Sequence, residues 1–129
     1  MTPADELRAA AATLRRLAAA ASDHSGSPQW TATRHFPDQP DASYTSLWAD
    51  RRPLLAGGGG RGRPPAYVHA PVGDYIAAMH PGVGAKLAKW LETEAVTWAG
   101  DEVHNGCAPE TCTSEAALAV ARAILGGAS

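Results

Sequence analysis

Residues 104–112 read HNGCAPETC, which places one imidazole and two thiols, those of His104, Cys107 and Cys112, within a nine-residue stretch rich in turn formers. These are zinc-competent donors, because zinc takes nitrogen and sulfur ligands in a tetrahedron of four. A fourth ligand has to come from elsewhere. His80 precedes a helix that leads toward this stretch, but a straight helix over 81–100 would hold its ends about 30 Å apart. That leaves His69, His24, His35, a water or a second copy of the chain, and His69 is the candidate added to the set. Against zinc, the spacing is not the pair of C-x2-C units of a zinc ribbon. Two ordinary thiols in a surface turn, or a local disulfide closing CAPETC, together outweigh a metal site. A redox switch is weaker still, without thioredoxin-like spacing. The expectation is therefore no cofactor, with zinc as the alternative.

A second cluster consists of Arg51, Arg52, Arg61 and Arg63, four of the eleven basic residues, around GGGG and close to Trp48 and Tyr67. Arginine interleaved with aromatics can track phosphates and stack bases. The stretch lacks the lysine and hydroxyl residue of a phosphate-binding loop. A solvated loop is the simpler reading, with these arginines and Trp48 as candidate contacts for nucleic acid or an acidic partner. Catalytic pairings are weak. Asp23 with His24, Asp74 with His80, and Glu102 with His104 are neighbours in sequence, but no Ser or Cys has a nucleophile-elbow context. The expectation is a protein that is not an enzyme.

The elements that must position these residues follow from periodicity and breakers. Residues 3–21 read as a helix: Thr2 caps, Pro3 occupies the first turn, and Asp5 and Glu6 suit the positive helix end. Leu7, Ala10, Ala11, Leu14, Leu17, Ala18 and Ala21 make its apolar stripe. QWTATRHF and YTSLWA read as strands, GGGGRGRPP at 57–65 as a mobile loop, and AYVHA at 66–70 as a third short strand. A short helical segment spans 74–79. A longer helix over 81–100 carries Val83, Leu87, Trp90, Leu91, Ala95 and Trp98, and a last helix covers 114–125 before Gly126 and Gly127. Trp90 and Trp98 are expected in the core. The fold class is α+β in one domain, 1–129: an N-terminal helix, a small antiparallel sheet of two or three strands, and C-terminal helices packed on it.

Three segments, SPQW, DYIAAMHPGVGAKLAKWLETEA and AALAVARAILGG, resemble a family of small uncharacterised proteins of actinobacteria, especially streptomycetes, and of their phages, prophages and integrative elements. The similarity covers the N-terminal helix and residues 74–127. It implies a phage or mobile-element setting and a bacterial cytoplasm. No activity and no catalytic residue come with it.

Composition narrows the rest. In 129 residues, 13 acidic and 11 basic side chains leave a net charge of −2, which lowers the expectation of nucleic-acid binding. The apolar stretches are alanine-rich and broken by arginine, so no membrane span of roughly 20 residues is expected. The start, MTPADE, is acidic where a signal peptide is basic. The resulting expectation is a small non-enzymatic accessory protein that binds a host or self protein, with homodimerisation through the Ala/Leu stripe as one form. The alternative is a zinc-stabilised module that binds nucleic acid.

Overall fold

In a computed structural model, the described residues are 1–39, 43–55, 57–58, 60–62, 66–98 and 112–126. They form an α+β fold of eight elements: α1 (Pro3–Ser25), β1 (Thr31–His35), β2 (Tyr44–Ala49), β3 (Arg52–Pro53), β4 (Val68–His69), α2 (Ala70–Ala78), α3 (Pro81–Trp98) and α4 (Thr113–Ile124). The chain divides into two compact units, Met1–Leu17 with Gly84–Ser129, and Ala18–Val83.

The first unit is helical. At its start Thr2 Oγ1 accepts the Asp5 N–H at 3.1 Å while Asp5 Oδ2 accepts the Thr2 N–H at 3.1 Å, a reciprocal cap that satisfies two backbone donors. Leu7, Ala10 and Ala11 of α1 meet Ala88, Leu91 and Ala95 of α3 and Ala117, Leu118 and Ala121 of α4 in one buried cluster. Leu14, Trp90 and Trp98 pack against it half-buried, as the helical spacing anticipates. Leu17 is 52% exposed, so the apolar stripe leaves the core before the end of its periodic run. Arg15 clasps both carboxylate oxygens of Glu92 at 2.7 Å, and Arg122 reaches Glu6 at 3.1 Å.

The second unit holds the sheet. β2 is central and antiparallel to all its neighbours: β1 pairs along its full length from Thr31↔Trp48 to His35↔Tyr44. On the other edge β3 takes one end (Trp48↔Pro53, Ala49↔Arg52) and β4 the other (Tyr44↔His69, Thr45↔Val68). The β2–β3 turn has two residues, and Asp50, its first, has φ 54°. Aspartate tolerates this left-handed conformation better than most residues. α2 lies against the sheet. Thr45 is fully buried beneath it, its hydroxyl donating to the Ala70 carbonyl at 3.3 Å.

Local expectations are adjusted in three places. α1 continues one turn past residue 21, because Ser22, Asp23, His24 and Ser25 remain helical and Gly26 is the actual stop. Gly26 adopts φ 87° and donates its N–H to the Ser22 carbonyl at 2.8 Å. α2 starts at Ala70, with Pro71 in its first turn, and so takes the last residue expected in the third strand. β3 was not anticipated; its Arg52 and Pro53 are too short a run to show alternation.

Candidate functional site

In the second unit the last turn of α1, the start of β3 and the segment after it meet around a bent cleft. One recess, about 300 Å³, is walled by Ala21, Trp30, Leu47, Leu54 and Ile76, with His24 and Ser25 at its edge. An adjoining recess of about 410 Å³ shares His24, Ser25, Leu54 and Leu55 and adds Arg52. A third, about 240 Å³, has Trp48, Ser46, Gly57, Gly58 and Ala66 as walls and shares Leu55 with both. The turn before the sheet is held by Ser25, whose hydroxyl donates to the Ser27 carbonyl at 3.0 Å and accepts the Trp30 indole N–H at 3.1 Å. That bond fixes Trp30 as a wall of the first recess.

The cleft brings together part of the arginine cluster read from sequence. Trp48 is half-buried and lines the third recess beside Gly57 and Gly58 of the glycine-rich loop, and Arg52 lines the second. Arg51 and Arg61 are exposed and line none of the three recesses; Arg63 lies outside the described residues. The Arg52 side chain runs over Gly26, with Nη1 3.2 Å and Cδ 3.7 Å from where a Cβ would stand there. Among the described residues, four other arginines have carboxylate partners: Arg8 with Asp5, Arg15 with Glu92, Arg34 with Asp74, and Arg122 with Glu6.

The metal candidates divide. His104 and Cys107 lie outside the described residues. Cys112 is 7% exposed at the N-cap of α4, not in a surface turn, and His69 is exposed at the N-cap of α2. His80, considered as a further ligand, is engaged locally: its Nδ1 lies 3.1 Å from the Pro28 carbonyl, which also accepts the Gly82 N–H at 2.8 Å. Among the described residues no three His, Cys, Asp or Glu side chains are grouped to hold a metal.

Two arrangements escaped sequence reasoning. His35 Nε2 lies 2.9 Å from the hydroxyl of buried Ser46. Serine and histidine at that distance resemble a nucleophile and its base, but among the described residues no carboxylate orients the ring, so the triad logic is incomplete. Asp74, one acid noted near a histidine, is committed to Arg34. The second arrangement is aromatic. His35 stacks on Tyr44 with centroids 4.6 Å apart, Tyr67 tilts against Tyr44 at 4.6 Å, and Phe36 lies at 5.8 Å. Phe36 is 56% exposed and Tyr67 49%. Phe36 also holds φ 54°, a left-handed conformation that costs a bulky residue about 1–3 kcal/mol and survives only when its surroundings enforce it. The strand pairing His35↔Tyr44 and Tyr44↔His69 is the signal that could have found this cluster, and it is not written in any local spacing. No protein-family model matches the sequence, and comparison with curated proteins and with solved structures gives no match.

Proposed function

We propose that this chain is a small non-enzymatic accessory protein that acts by binding another protein, in the setting of a phage or mobile element and in the cytoplasm of its bacterial host. The setting rests on the family resemblance of SPQW, DYIAAMHPGVG and AALAVARAILGG. The binding role rests on the aromatic cluster at the end of the sheet. Tyrosine and phenylalanine give large contact area for little lost side-chain freedom, and rigid aromatic anchors concentrate binding energy at interfaces. Here Tyr44 supports Phe36 and Tyr67 from below, so the two exposed rings are already positioned before a partner arrives. Among the described residues no helix is long and apolar enough to cross a membrane.

The test replaces Phe36 with a photoreactive benzoylphenylalanine in host cells and, separately, Lys86 on the exposed side of α3. The expected result is a discrete cross-linked species from position 36, absent from position 86 and lost when Tyr67→Ser is added. Equal cross-linking from both positions, or none from position 36, overturns the proposal.

A further inference from the structure

The cleft of the Ala18–Val83 unit is separate from the aromatic cluster and has a different chemistry. Its apolar recess is built from Trp30, Leu47, Leu54 and Ile76 with little polar surface, and it shares His24 with the recess that carries Arg52. Small-molecule sites have this composition: a concave apolar body of about 300–1,000 Å³ with a few polar groups at fixed places. Among the described residues Arg52, like Arg16, Arg51 and Arg61, has neither a carboxylate nor a hydrogen-bond partner, and of these four it alone lines the cleft. Its exposed side chain runs past Gly26, which has no Cβ to push it away, and its N–H donors remain unused beside the cleft. A guanidinium fork matches a carboxylate in a bidentate pair.

We propose that this cleft binds a small amphipathic carboxylate, with its apolar body among Trp30, Leu47 and Ile76 and its charged end on Arg52. His24, at the edge shared by the two recesses, faces the same end of the ligand. Charge complementarity selects this occupant over a neutral one: an apolar molecule would fill the apolar recess and leave the arginine as it is.

The experiment titrates the full chain with octanoate, below its micelle threshold, and with octanol as the uncharged counterpart, by isothermal calorimetry. Octanoate is expected to saturate one site and to bind about tenfold more tightly than octanol, the size of effect that a charge-assisted hydrogen bond supplies. Arg52→Gln is expected to remove that difference and leave octanol unchanged. Ala21→Phe, which fills the apolar recess from α1, is expected to abolish both, with helicity checked by circular dichroism. The competing reading is that Arg52 only balances the negative C-terminal end of α1. It predicts a lowered melting temperature in Arg52→Gln with octanoate and octanol affinities equal in both proteins. Equal affinities, a parallel loss of both ligands in Arg52→Gln, or no saturable binding of octanoate to the unaltered chain each overturn the proposal. None of these outcomes bears on Phe36 or Tyr67, so the protein-binding reading is tested apart from it.

Discussion

Arg15 and Glu92 show how a single pair makes stability depend on pH. The guanidinium hydrogen-bonds both carboxylate oxygens, and its positive charge adds to the effect, so the Glu92 carboxyl is held below its ordinary range. A carboxyl whose folded value is depressed contributes stability above its unfolded value and loses it as pH falls through the folded one. The pair is solvent-exposed, so the contribution is small. Glu92→Gln is expected to melt below the unaltered protein at neutral pH, and the gap is expected to close in acid below the carboxylate range. A gap that persists there, measured by thermal denaturation across pH, would assign the loss to packing. Asp5 is lowered in the same direction by the hydroxyl and backbone N–H of Thr2. That capping pair was legible as Thr2 followed by an acidic first turn, because N-terminal caps depend on residues three apart. The Arg15–Glu92 pair was not, since 77 positions separate its members.

At the scale of elements, α2 and the sheet approach closely only because of Gly73. A Cβ there would stand 2.5 Å from Thr45 Cβ and 2.9 Å from its Cγ2, well inside contact distance. In an exposed helix, alanine would be favoured over glycine by about 1 kcal/mol. Here the clash dominates: Gly73→Ala is expected to destabilise by about 1–3 kcal/mol, measured as a lower midpoint in urea. A rise in the midpoint would show that α2 shifts away from β2 at little cost. The helices and the two longer strands were legible because their apolar periods are local. The last turn of α1 was not, since Ser, Asp and His carry turn preference but do not break a helix already formed. Gly26, which can take positive φ, is what ends it. β3 holds only two residues and exists through pairing with β2, so no local pattern announces it, whereas β4 falls within the strand read at 66–70.

For the molecule as a whole, alanine decides how the helical unit is built. Six of the nine residues in its buried cluster are alanine, and Leu7 and Leu91 are the largest fully buried apolar side chains among the described residues. Few large groups therefore carry the burial. Leu91→Ala is expected to cost about 2–5 kcal/mol, a large share of the roughly 5–15 kcal/mol that holds a domain folded. Chemical denaturation reads it; a loss below about 1 kcal/mol, the usual effect of surface changes, would place Leu91 outside the core. The sequence by itself determined the α+β class, the starts of α1, α3 and α4 with their apolar faces, and which residue types could bind metal or anions, but not the start of α2 at Ala70. Only the tertiary structure decided which of those residues meet. His35, Tyr44 and Tyr67 join because β1 and β4 pair with β2 in one register, and Arg52 reaches the cleft because the β2–β3 turn folds it over Gly26. Register and close approach arise from contacts between distant positions, whereas periodicity and capping are written within a few residues of chain.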